Sequence, residues 1–96
     1  MEIDILANKY IKSSDWNYMK QNKLITKTYA FETFSNAIAW MIEVAFKCEK
    51  INHHPDWTNV FSKVIVNLTT HDKGEVTEKD LTLAKIMDDI YAKYKK

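Results

Sequence analysis

Cysteine, glycine and proline each occur once in this 96-residue chain, and each scarcity excludes something. A lone Cys48 rules out an internal disulfide and with it the framework of a small secreted domain, so a reducing, cytoplasmic setting is expected. A single Gly74 and a single Pro55, with no repeat or low-complexity stretch, leave no room for a flexible linker. No apolar run approaches the roughly 20 residues that cross a bilayer. The opening Met1-Glu-Ile-Asp-Ile-Leu6 is acidic and broken, unlike a signal or transit peptide. Net charge is only +1, which gives no electrostatic reason to expect nucleic acid or a membrane surface as partner. The terminal Lys93, Lys95 and Lys96 suit the negative end of a last helix better than a polyanion.

What is present is a normal globular balance, 46% apolar and 28% charged, enough for one small core and too little for two. One domain over residues 1–96 is expected.

Ile3, Leu6, Tyr10 and Ile11 recur at helical spacing before Ser13-Ser14, which predicts a short N-terminal helix. From Trp16 to Phe31 aromatic and β-branched residues flank the polar Lys20-Gln-Asn-Lys23, as in a hairpin. In its second strand Ile25, Lys27, Tyr29 and Phe31 share one face. Thr33 then caps a helix whose stripe is Phe34, Ala37, Ile38, Met41, Val44, Ala45 and Cys48. Trp40, Ile42 and Phe46 widen its apolar surface, so it lies deep in the fold or carries a subunit contact. Pro55 stops the helix, because proline lacks an amide hydrogen and disfavours helical geometry at His54. Alternating residues from Val60 to Thr69 predict strand, and after a turn at Asp72–Glu75 Thr77 caps a last helix with Leu83, Ile86, Met87, Ile90 and Tyr94 on one face. The order is β-β-α-β-α or β-β-α-β-β-α, and either gives an α+β sandwich of two layers.

All three histidines, His53, His54 and His71, fall between positions 53 and 71, two of them adjacent and just ahead of Pro55. Taken singly, each is more simply a helix-end or surface histidine than a functional one. Taken together they impose geometry. A straight run of about twelve extended residues would hold its ends about 40 Å apart, so His53 and His71 act jointly only if the chain reverses between them. The natural place lies between Asp56 and Ser62, where Asn59 is a turn former, and this selects β-β-α-β-β-α with a four-stranded antiparallel sheet and helices on one face.

The run Glu49-Lys-Ile-Asn52-His53-His54-Pro55, with Phe61 six positions on, then Leu68-Thr-Thr70-His71-Asp72 and Asp80, resembles the signature of the pterin-4a-carbinolamine dehydratases. The likeness extends from about Trp16 through the last helix. Three positions depart from the family pattern: Asn52 stands where an acidic residue is common, Phe61 where tyrosine is, and Lys79 where arginine is, keeping only the charge.

The resemblance implies an enzyme without cofactor or metal that removes water from 4a-hydroxytetrahydropterin, the spent cofactor of aromatic amino-acid hydroxylases, giving quinonoid dihydropterin. One acid must protonate the departing hydroxide and one base must take the N5 proton. Histidine, with an unperturbed pKa of about 6.5, serves both needs near neutrality. The resemblance implies His53 and His71 as the acid/base pair and His54 as an orienting group. Glu49, one helical turn before His53, is expected to orient that ring. Trp57 is expected to wall the flat pterin, Thr70, Asn52 and Lys79 to contact it, and Asp80 to sit beside the site chiefly as a helix cap. Homodimers or homotetramers and a metabolic link to a hydroxylase are implied as well. Two rivals are a metal site, disfavoured because adjacent histidines point apart, and a non-enzymatic interaction module.

Overall fold

The computed structural model describes residues 5–95, and the part of the N-terminal prediction that rests on Ile3 lies outside them. The elements are α1 (Ile5–Ser13), β1 (Asn17–Met19), β2 (Leu24–Ala30), α2 (Phe34–Ile51), β3 (Asp56–Val60), β4 (Lys63–Leu68) and α3 (Glu78–Tyr91). The strands form one antiparallel sheet in the order β1-β2-β4-β3, which is the α+β arrangement expected from the sequence.

Period-two alternation decides which face of this sheet is covered. Ile25 and Tyr29 of β2 and Val64, Val66 and Leu68 of β4 are buried, while Thr28, Ala30, Lys63 and Ile65 point to the open face. The register Ile25↔Leu68 and Tyr29↔Val64 places these apolar side chains side by side under α2 and α3. Trp40 lies at the centre, fully buried, with its ring 4.5 Å from Tyr29 and 5.5 Å from Phe31 and its indole N–H donating to Met87 O at 3.2 Å. Truncating a ring so packed costs about 3–5 kcal/mol.

Each helix is bounded by its own chemistry. Thr33 Oγ1 accepts from the Asn36 amide at 3.0 Å to start α2, and Asn52 ends it in the left-handed region, φ 54, its N–H donating to Cys48 O. The buried stripe of α2 is Ala37, Trp40, Val44 and Cys48. This corrects the predicted stripe: Phe34 and Ala45 are exposed, because Trp40 turns the helix's widest residue toward the sheet and rotates those two positions outward. In α3 the buried residues Leu83, Ala84, Met87 and Ile90 follow a complete capping box between Thr77 and Asp80. The helix ends before Tyr94, which packs edge-on against Phe31 beyond the last helical residue.

The predicted reversal is present, displaced by two residues. Val60 pairs with Lys63, so Phe61 and Ser62 form a two-residue hairpin loop with Phe61 at φ 53. Asn59 works from the strand instead, its side-chain amide donating to the carbonyls of Phe61 and Lys63.

Candidate active site

Two local features aim the histidine pair. Asn52 reverses the backbone after α2, and Pro55 forces His54 to be extended before β3 begins. The His53 amide returns to Cys48 O at 3.1 Å, closing the helix end. Successive side chains then diverge: His53 turns inward and is 8% exposed, while His54 faces out. At the other side of the sheet, Asp56 pairs with Asn67, so the segment leaving β4 toward Thr70 and His71 emerges at the same end as His53 and His54. There Thr70 and Glu75 form an isolated bridge, and Gly74, at φ 66, closes the intervening turn.

The element that joins these segments is Asp80. It is fully buried, at the first turn of α3. Its Oδ1 lies 2.6 Å from His53 Nε2, and its Oδ2 accepts from Thr70 Oγ1 and from the Thr77 amide, both at 2.8 Å. The hydroxyls of Thr70 and Thr77 are 2.6 Å apart. The expected capping role of Asp80 is therefore present, and the same carboxylate also holds a histidine. Thr77, identified from sequence only as a cap, belongs to this cluster.

Glu49 does not meet His53. Its Oε2 lies 2.7 Å from His54 Nε2, and both side chains are exposed. The helical i, i+4 relation on which the expectation rested ends at Ile51, and the left-handed Asn52 swings His53 inward and brings His54 over Glu49. Asn52 itself serves the helix end. Lys79 is exposed, its amide donating to Thr77 Oγ1 at 3.3 Å, and His71 is exposed on the turn after Thr70.

Beside His54 opens a cleft of about 360 Å³ lined by Ala45, Cys48, Glu49, His54, Pro55 and Trp57. Trp57 is half-buried, its ring tilted against Trp40 at 5.9 Å, and supplies a flat wall. Burial pushes the Cys48 thiol up to about 11, so at neutral pH it is a protonated, apolar part of that wall. Phe61 lies at the opposite end of the sheet, at the tip of the β3–β4 hairpin. Among the described residues no group of three or more His, Cys, Asp or Glu has the geometry to hold a metal ion, and no helix is long and apolar enough to cross a membrane.

A second polar cluster lies at the other end of α3. Asp88 Oδ1 accepts from Lys27 Nζ at 2.8 Å and from the Tyr29 hydroxyl, while Oδ2 accepts from Trp16 Nε1 at 3.1 Å and from the Tyr10 hydroxyl. Burial, reinforced by the Asp88 charge, drives both phenols above their ordinary range. The sequence signal was Lys27: a cation on the buried face of a strand requires a buried anion.

The family model for pterin 4 alpha carbinolamine dehydratase matches residues 3–90. A Prochlorococcus marinus protein named "Putative pterin-4-alpha-carbinolamine dehydratase" is 48% identical over 77 residues, covering 80% of this chain and 79% of that one. A relative of the same name from Prochlorococcus marinus subsp. pastoris is 40% identical over 93 residues, 97% of this chain and 95% of its own. Among solved structures, a transcriptional coactivator/pterin dehydratase from Brucella melitensis superimposes with a TM-score of 0.84 at 32% identity, covering 94% of this chain and 98% of that one. A pterin dehydratase-like protein described as a RuBisCO assembly factor in the alpha-carboxysome shares the fold, with a TM-score of 0.68 at 18% identity over 78% of this chain and 87% of its own. With a family model spanning nearly the whole chain and relatives of matching length at this identity, the chain belongs to the pterin-4-alpha-carbinolamine dehydratase family.

Proposed function

We propose that this protein is a hydro-lyase that dehydrates 4a-hydroxytetrahydropterin to quinonoid dihydropterin by histidine acid/base catalysis, renewing the pterin used by an aromatic amino-acid hydroxylase. The observation that carries the reading is the convergence at one end of the sheet: His53 anchored on the buried Asp80, His54 at an apolar cleft, and His71 next to the Thr70 that holds the same aspartate. A dehydratase of this kind needs a proton donor at the departing hydroxyl, a proton acceptor at N5 and a flat apolar wall. His53 and His71 fill the first two roles, and Trp57 with Pro55 the third. His54, steadied by Glu49, orients the substrate, with Asn52 and Lys79 at the rim, while the buried Thr70 acts from behind by holding Asp80. One domain over residues 1–96, working in the cytoplasm without metal or redox cofactor, carries this activity.

The exposed apolar residues of α2 favour self-association alongside catalysis. Phe34, Ile42 and Phe46 are exposed on one helix, and small domains gain buried surface by pairing such faces into dimers or tetramers. A purely structural module on this fold is the second reading.

The test generates the carbinolamine in place with a hydroxylase and follows quinonoid product with and without this protein. Faster product formation that scales with protein concentration is the expected result. A rate equal to the spontaneous one refutes the enzyme reading and leaves the assembly module.

A further inference from the structure

The hydrogen bonds around Asp80 fix where protons sit. The Thr77 amide can only donate, so the Asp80 Oδ2 it meets accepts. Thr77 Oγ1 accepts from the Lys79 amide and, in the capping box, from the Asp80 amide, and its own proton is directed to Thr70 Oγ1, 2.6 Å away. Thr70 in turn donates to Asp80 Oδ2. With the positive end of α3 also at this carboxylate, every neighbour presents it with positive charge, and Asp80 stands as an acceptor on both oxygens. The proton in the 2.6 Å contact between Asp80 Oδ1 and His53 therefore belongs to His53 Nε2.

The other ring nitrogen is then determined as well. No described group bonds to His53 Nδ1, yet no buried side-chain nitrogen or oxygen among the described residues lacks a partner. Nδ1 thus belongs to the small part of His53 that reaches the surface.

We infer that Asp80, fixed by Thr70 and Thr77, locks neutral His53 as its Nε2–H tautomer, so that Nδ1 is the atom that accepts the N5 proton of the substrate. The last clause rests on the dehydratase reading above; the lock does not. In the reaction the Nδ1 lone pair takes the N5 proton, and the N5–H bond pair becomes the second bond between N5 and C4a. The C4a–O bond pair leaves with oxygen, which takes a proton from the acid, His71, and departs as water. His53 ends as imidazolium stabilised by Asp80, His71 ends neutral, and exchange with solvent resets both. Asp80, Thr70 and Thr77 are positioning residues in this scheme.

The decisive variant is Asp80→Asn, which is isosteric. Oδ2 faces two donors, Thr70 Oγ1–H and the Thr77 amide, so the asparagine oxygen must occupy that place, and its amide nitrogen then points at His53 Nε2. A donor there requires a lone pair on Nε2 and drives the proton to Nδ1. Long-range ¹H–¹⁵N correlation spectra of the ¹⁵N-labelled protein, with the ring neutral, read the tautomer directly. The expected result is protonated-type Nε2 and unprotonated-type Nδ1 in the wild type, the reverse in Asp80→Asn, and a roughly 10²- to 10⁴-fold loss of dehydration rate in the variant. A wild-type spectrum with Nδ1 protonated overturns the lock, and it does so even if the variant fails to fold. A reversed tautomer with undiminished activity overturns the assignment of Nδ1 as the base. Absence of any acceleration by the wild type refutes the dehydratase reading instead, and the substrate-free spectrum still decides the lock.

Discussion

Replacing Asp88 by alanine removes the carboxylate shared by four donors, Tyr10, Trp16, Lys27 and Tyr29. Lys27 and Asp88 are mostly buried, their side chains 14% and 19% exposed, and breaking such a pair from one side costs about 3–5 kcal/mol because the other charge stays behind. The Tyr29 hydroxyl, in a residue 1% exposed, adds about 1–3 kcal/mol when left unpaired. Lys27 keeps a second bond, to Ser14 O at 2.7 Å, and the cleft bordered by Tyr10, Lys27, Tyr29 and Asp88 admits water, so these losses do not sum. A destabilisation of about 4 kcal/mol is expected, a large share of the 5–15 kcal/mol typical of a domain, and a Tm lower by roughly 15–30 °C. Urea unfolding followed by tryptophan fluorescence at 25 °C measures it, with the midpoint falling and the slope unchanged. In the double variant Lys27→Met/Asp88→Ala the cost is expected to be smaller than the sum of the two single variants, since no orphaned cation remains. Asp88 lies eight residues past Asp80, about 12 Å along α3, so below its melting range the Asp88→Ala protein is expected to keep its activity. A loss of stability under about 1 kcal/mol would refute the assignment of this cluster as a structural tie.

At the histidines, His53→Ala and His71→Ala are each expected to lose most activity while keeping the wild-type circular dichroism spectrum; full activity in both removes them from the chemistry. Folding raises the pKa values of Cys48, Tyr10 and Tyr29, so the folded state keeps protons that the unfolded chain has already lost. Stability is therefore whole below pH 9.0, the ordinary thiol value, declines as pH rises through the folded Cys48 value of about 11, and declines further above 10.0 as the tyrosines contribute. A urea midpoint that does not move across this window contradicts the burial of these groups, and Cys48→Ala is expected to flatten its lower part. Phe61 is 73% exposed at φ 53, a conformation that costs a non-glycine residue roughly 1–2 kcal/mol and that asparagine tolerates, so Phe61→Asn is expected to stabilise by about 0.5–1 kcal/mol. Calorimetry showing a lower Tm for that variant would count against the hairpin geometry. Phe46, also 73% exposed, is expected to matter for assembly: Phe46→Glu should lower the mass seen by light scattering without unfolding, and an unchanged mass places any subunit contact elsewhere.

Much of the fold was legible because local rules acted alone. Alternation in Ile25-Thr-Lys-Thr-Tyr29 reports one buried face, and Thr33 and Thr77 announce helix starts through hydroxyls that act within three residues. Where two local signals competed, the tertiary structure chose. Asn59 is a good turn residue by itself, yet the loop falls at Phe61 and Ser62, because pairing Asp56 with Asn67 and Trp57 with Val66 puts Trp57 against Trp40, and the asparagine then serves the loop from the side.

The candidate site divides in the same way. Spacing alone required a chain reversal if His53 and His71 are to act together, and the family resemblance set Asp80 beside the three histidines. Which carboxylate meets which imidazole was decided only in three dimensions. Glu49 is a helical neighbour of His53 by counting, but one left-handed residue at Asn52 sends His54 to Glu49 and His53 to Asp80. A single backbone torsion thus assigns the partners, and torsions at helix ends are settled by what the following side chain can bury, which no local spacing contains.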